Sequence, residues 1–209
     1  MKFVKQEVSC NYPENPISML RRLERAGRIS HKSEDNITED SYKSFLKMLI
    51  KLGHESVLEH ATLTVHAITE RGISHEIVRH RIGSYTQEST RYCNYANDKF
   101  DGELTLIASD DILDDSYALE CLLYTETCYK HLIKKGIRPE MARDILPNCL
   151  KTEIIMTYNI RSWRHFFKER LNKNAHPKIR ELAMLILKDF HQNIPVLFDD
   201  IWEQYASSM

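Results

Sequence analysis

Between Arg79 and Tyr92 the chain reads Arg-His-Arg-Ile-Gly-Ser-Tyr-Thr-Gln-Glu-Ser-Thr-Arg-Tyr, so three arginines, a histidine and several hydroxyl and amide groups share fourteen residues. Arginine suits phosphate because its planar fork donates two parallel hydrogen bonds and keeps its charge when partly buried. Ser and Thr after a glycine turn add hydroxyl and backbone donors to the same anion. Gln87 and Glu88 offer groups that can read the amide edges of a base. This is the composition of a nucleotide-phosphate site. A plainer reading stands beside it: cations in the last turn of a helix stabilise its macrodipole by roughly 0.3–1 kcal/mol, which alone accounts for Arg79 and Arg81. Composition leaves both readings open and names no ligand.

The elements that must position these groups are mostly helical. Asn15-Pro16 opens a helix that Gly27 is expected to close, and a second runs from about Thr38 to Leu52 with Gly53 beyond it. From Ala61 to Thr69, Leu63, Val65 and Ala67 alternate with Thr62, Thr64 and His66, the period of a half-buried strand. Gly72-Ile73-Ser74 is expected to turn into a helix capped by Ser74, with Arg79, His80 and Arg81 in its last turn. A strand from Glu103 to Ala108, one long helix from Asp110 to Lys135, a short helix opening at Arg138-Pro139 and a short strand from Ile154 to Tyr158 follow. Helices at Arg161–Leu171, Pro177–Asn193 and Pro195–Tyr205 complete the pattern. Strands do not alternate regularly with helices, which predicts a helix-rich α+β fold with a small, mostly antiparallel sheet. With no repeat, low-complexity tract or linker, residues 1–209 read as a single domain.

Bulk properties exclude several classes. Apolar residues are 42% and charged residues 28%, as in a globular protein, and the formal net charge of −1 provides no global field for nucleic acid or an anionic membrane. No apolar run is long enough to span a bilayer, and the N-terminal Met-Lys-Phe-Val-Lys is too charged for a secretory signal. Cys10, Cys93, Cys121, Cys128 and Cys149 are odd in number and form no C-x-x-C pair, which suggests reduced thiols and a cytoplasmic location. His54, Glu55, Glu59 and His60 do not have the H-E-x-x-H spacing, and on a helix His54 and His60 would point about 120° apart, so no metal is expected. Trp163, Phe166 and Phe167 read as a packed helix face, Asp110, Asp111, Asp114 and Asp115 as a solvated helix start, and Cys149 as a buried apolar residue.

The segment Arg79-His80-Arg81, seven residues, then Ser89 resembles the signature of flavin-dependent thymidylate synthases. Gly53-His54-Glu55-Ser56-Val57-Leu58-Glu59-His60 is similar to that family's Gly-His-Glu-x-x-x-Glu-His element, and Arg28-Ile29-Ser30 to an early Arg-x-Ser element. Glu140 to Pro147 resembles the segment that supplies a further phosphate-binding arginine, and Asn159-Ile160-Arg161-Ser162 through Arg170 the C-terminal element. The likeness spans roughly residues 26 to 180.

The resemblance implies conversion of dUMP to dTMP, with methylenetetrahydrofolate as carbon donor and FAD, reduced by NADPH, as hydride source. It also implies a homotetramer whose active sites draw on several chains. By the same resemblance Arg79, Gln87, Glu88, Ser89, Arg91, Arg143, Arg170 and Glu76 bind dUMP, with Arg170 and Ser89 at the reacting centre. Ser30, His54, Ser56, Arg79, His80, Arg81, Gln87, Asn159, Arg161 and His165 belong to the FAD surroundings. Ser89 is implied to bind substrate rather than attack it, because a serine nucleophile needs an activating base. Glu76 stands where some relatives carry Gln and His165 where others carry Asn. FAD is not expected on a dinucleotide fingerprint, since no G-x-G-x-x-G is present. Two rivals are a catalytically silent nucleotide-binding protein of the same fold and a phosphate-ester hydrolase using His80. Arg170 argues against the silent binder, which has no use for a charge opposite the uracil ring.

Overall fold

A computed structural model describes residues 1–12 and 15–206. The strands are β1 (Lys2–Phe3), β2 (Glu7–Asn11), β3 (Thr62–Glu70), β4 (Gly83–Gln87), β5 (Thr105–Leu106) and β6 (Lys151–Asn159). The helices are α1 (Pro16–Ile29), α2 (Ser41–Lys51), α3 (Arg71–Ile77), α4 (Asp110–Leu113), α5 (Ser116–Lys134), α6 (Pro139–Ala142), α7 (Ile160–Arg170), α8 (Pro177–Asn193) and α9 (Asp199–Tyr205). This is the expected helix-rich α+β class. Four strands pair in the order β2-β3-β6-β4, and β1 pairs with β5 in parallel. β3 and β6 are antiparallel: Ile160 N–H bonds Ala61 O at one end and Arg71 N–H bonds Leu150 O at the other.

The chain divides into two compact units. The first comprises Met1–Glu7, Ala67–Val78 and Thr86–Ile154, and the second Val8–His66, Arg79–Tyr85 and Ile155–Met209. The first has a core of Tyr95, Leu104, Leu106, Tyr129, Ala142 and Leu150. The second is built on α7, where Trp163, Phe166 and Phe167 bury one helix face as their spacing predicts, against Phe190 of α8 and Phe198. The Asn159 side chain caps α7 by accepting from Ser162 N–H at 2.8 Å, and Trp163 donates its indole N–H to Leu63 O at 3.0 Å.

Several expectations change. Gly27 does not close α1, which continues to Ile29; a Cβ there would lie 2.8 Å from the Phe45 ring, so the glycine permits close packing of α1 on α2. α3 starts at Arg71, not at a Ser74 cap. The N–H groups of Arg71 and Gly72 are already satisfied by Leu150 O and Asn148 O, and Ser74 Oγ bonds back to Arg71 O inside the helix. α3 also ends at Ile77, so Arg79, His80 and Arg81 lie beyond it and the macrodipole reading of Arg79 and Arg81 fails. The expected Asp110–Lys135 helix is broken, because Asp115 leaves the helical conformation and caps α5 by accepting from Ala118 N–H at 2.7 Å. The Pro195–Tyr205 helix likewise breaks at Phe198. The strand expected over Glu103–Ala108 shrinks to Thr105–Leu106, the one expected over Ile154–Tyr158 grows to nine residues, and β4 lies where no strand was expected. Cys149 is only partly buried at the edge of the first core.

Candidate active site

In the second unit, Arg170 Nε donates to His80 Nε2 at 2.8 Å. Only a neutral imidazole has a lone pair there, which puts the His80 proton on Nδ1. Burial, then the charge of Arg170, then His165 push the His80 pKa down from 6.5 to about 4. The Phe166 ring centroid is 5.0 Å from that of His80, and His165 lies at 6.0 Å. Tyr85 O–H donates to the His80 carbonyl at 2.6 Å, which spends its only proton, so Tyr158 O–H must be the donor across the 2.9 Å contact between the two phenols. Gly83 is required here, because a Cβ would lie 2.3 Å from the Tyr158 ring. Ile82 just before it holds φ 61°, a strained conformation for a β-branched residue, and is 77% exposed.

Arg81, Asn159, Arg161, His165 and Lys168 line a recess of about 410 Å³ in the same unit, with Glu55 and Glu59 on its wall. Arg161 pairs with Glu59 at 2.6 Å and Lys168 meets Glu55 at 3.6 Å. The donor set suits a polyanion, which would exchange with the exposed Glu59 carboxylate at little cost, while half-buried Glu55 stays with Arg164. Ser30, His54, Ser56 and Arg79 are exposed in this unit and line no part of the recess. Ser30 Oγ donates to Gly27 O at 2.9 Å.

In the first unit, Arg143 Nη1 donates to Thr90 Oγ1 at 3.2 Å, and both line a recess of about 280 Å³ with Arg71 and His75. Arg71 also donates to the Glu88 carbonyl at 3.3 Å. Gln87 Nε2 donates to Ser74 Oγ at 2.8 Å and Thr152 Oγ1 at 3.1 Å, so its amide is fixed from behind. The Glu88 carboxylate accepts from Tyr95 O–H at 2.7 Å and from Lys151 Nζ at 3.2 Å. Ser89 Oγ accepts from Arg91 N–H at 3.3 Å, and among the described residues no base hydrogen-bonds to it. A serine nucleophile needs such a base to activate it. Arg91 is exposed, 3.7 Å from Glu140, and Glu76 is half-buried on α3. Neither lines the recess.

Sequence reasoning missed Arg71, His75 and Tyr158. Arg71 and His75 are four apart on α3 and face one recess, a legible spacing once the helix start is placed correctly. Among the described residues, no group of three or more His, Cys, Asp or Glu converges as for a metal ion, and no helix is long and apolar enough to cross a membrane.

Fold and charge thus define a helix-rich α+β protein with an arginine-lined recess in each of two units. The family model described as thymidylate synthase complementing protein matches residues 17–196. Flavin-dependent thymidylate synthase of Pyrococcus furiosus is 36% identical over 187 residues, covering 86% of this chain and 76% of the relative. The enzyme of that name from Geobacter sulfurreducens is 34% identical, covering 90% and 82%. The crystal structure of thymidylate synthase X from Helicobacter pylori, with FAD and dUMP, is 21% identical with a TM-score of 0.77, covering 93% of this chain and 98% of that one, which shows a shared fold. The chain belongs to the flavin-dependent thymidylate synthase family.

Proposed function

We propose that this protein converts dUMP to dTMP, using bound FAD, with methylenetetrahydrofolate as carbon donor and NADPH as reductant. The observation that carries the reading is the Arg170 guanidinium, held from one side by a neutral His80 that cannot compete for charge. A cation fixed in this way stabilises negative charge developing on the uracil ring as C5 becomes nucleophilic, the role of an oxyanion-hole donor. Arg143 with Thr90, and Arg91, serve the nucleotide phosphate, while Gln87, Glu88, Ser89 and Glu76 orient the nucleotide.

The residues of the second unit's recess suit FAD. Arg81, Arg161 and Lys168 offer three cations and Asn159 and His165 further polar groups, a donor set matched to a diphosphate. Arg79 and His80 extend this surface, and Ser30, His54 and Ser56 contribute from the outer loops. When bound, FAD supplies the hydride that turns the transferred methylene into a methyl group. The chain's own residues bind, orient and balance charge. Arginines exposed on one chain, such as Arg79 and Arg91, fit a homotetramer in which neighbouring subunits complete each site. Five free thiols support a reducing, cytoplasmic setting.

The test is to incubate the purified protein with FAD, desalt it, and record the visible spectrum before and after adding dUMP, then assay dTMP formation with methylenetetrahydrofolate and NADPH. Retained flavin bands that shift with dUMP, followed by dTMP, are expected. A protein that binds dUMP but yields no dTMP overturns the reading in favour of a silent nucleotide binder.

A further inference from the structure

Lys151 opens β6 in the first unit, and its ammonium meets two carboxylates, Glu88 at 3.2 Å and Glu153. Neighbours on a strand point to opposite faces, and Gln87 reaches Thr152 whereas Glu88 reaches Lys151. Gln87 therefore turns inward, where Thr152 is buried and Ser74 holds its amide. Glu88 turns to the other face, and its second oxygen accepts from Tyr95 O–H at 2.7 Å. Residues 89–94, which carry Ser89 and Arg91, leave the sheet between Glu88 and Tyr95. The Ser89 carbonyl accepts from Tyr92 and Cys93 N–H at 3.1 and 2.9 Å, so the segment turns back at once. The Glu88–Tyr95 bond closes it, and Tyr95 belongs to the buried core of the unit, which makes it a fixed anchor.

Such a clasp needs a cation. The Glu88 side chain is only 12% exposed, and a carboxylate largely removed from water is costly unless its charge is matched. Lys151 supplies the match. Without it the carboxylate would compete for Arg71, whose guanidinium already lies 3.3 Å from the Glu88 carbonyl and lines the recess that suits phosphate. We propose that Lys151 is a positioning residue for the nucleotide: it neutralises Glu88, holds it to Tyr95, and so fixes the segment that presents Ser89 and Arg91. Lys151 acts through Glu88 and touches no ligand, and Glu88 orients the nucleotide through its neighbours. The assignment rests on the reading that this segment binds dUMP.

The test measures the dUMP Kd by calorimetry on the FAD-loaded protein, beside kcat and KM. Lys151→Met is expected to raise Kd and KM for dUMP about tenfold, as loss of a charge-assisted hydrogen bond does, with kcat at saturation within about twofold of wild type. Lys151→Arg restores the cation and is expected to recover most of that loss. Tyr95→Phe keeps the buried ring and opens the clasp from its other end. It is expected to raise KM in the same way, and the Lys151→Met, Tyr95→Phe pair to cost less than the product of the separate effects. Lys151→Gln replaces Lys151→Met if the latter does not fold, with the same direction expected. An unmoved KM in the Lys151 variant, full multiplication in the pair, or no recovery in Lys151→Arg overturns the assignment. So does a fall in thermal stability with KM unchanged, the mark of a role confined to folding. A wild-type protein that binds dUMP without forming dTMP overturns the enzymatic reading, and the calorimetric Kd then decides the role of Lys151. One that binds no dUMP overturns both.

Discussion

In the unit that carries α7, His80 and Arg170 sit against a wall of rings, whereas in the unit that carries α5 the polar groups hold one another. Phe166, fully buried, presses on His80, and the imidazole stays neutral because burial disfavours its charge. In the other unit, Glu88 is held by Tyr95 and Lys151, and Gln87 by Ser74 and Thr152, so hydrogen bonds replace packing. A low-dielectric wall sets protonation, while a bonded network sets direction. The first arrangement suits a group that must keep or yield a charge; the second suits groups that must point at a ligand.

That contrast can be broken from either side. Phe166→Ala is expected to have the largest effect, lowering stability by about 3–5 kcal/mol in urea unfolding, because the cavity opens inside contiguous rings. A loss below about 1 kcal/mol would mean that the wall is not what confines His80. Arg170→Ala is expected to lower turnover by about 10²–10³-fold while flavin stays bound, as removal of an oxyanion-hole donor does. Undiminished dTMP formation would remove Arg170 from the reacting centre. Tyr95→Phe tests the bonded network: loss of a hydrogen bond to a carboxylate is expected to cost about 1.5–3 kcal/mol, less than the ring deletion because Lys151 still holds Glu88. An equal or larger loss would reverse the comparison.

The smallest effect concerns pH, since His80 is only half-buried and solvent screens its surroundings. Its folded pKa of about 4 lies below the ordinary 6.5, so the folded state resists protonation. The stability it contributes is complete above pH 6.5 and is lost as pH falls from 6.5 through 4. His80→Asn is expected to flatten that part of the stability profile, and an unchanged slope would show that another group causes it.

Much of the scaffold was legible. The alternation of β3, the aromatic stripe of α7 and the proline start of α8 come from local spacing, and the structure keeps them. β4 was not legible because it lies at the edge of the sheet, and Gly83 to Gln87 bury none of their side chains and carry a single aromatic among polar residues and glycine. Arg164 escaped notice for a related reason. It is 2% exposed, and its charge is met by Asp200, 36 residues away, and by Glu55, 109 residues away.

The sequence by itself determined the helix-rich class, the arginine-rich signature and the residues available to bind anions, because periodicity and motif spacing are local properties. Tertiary structure alone decided that Arg79, His80 and Arg81 leave α3 instead of ending it, and that His80 is neutral. Its partner Arg170 is 90 residues distant, and its pKa follows from burial, which no local pattern encodes.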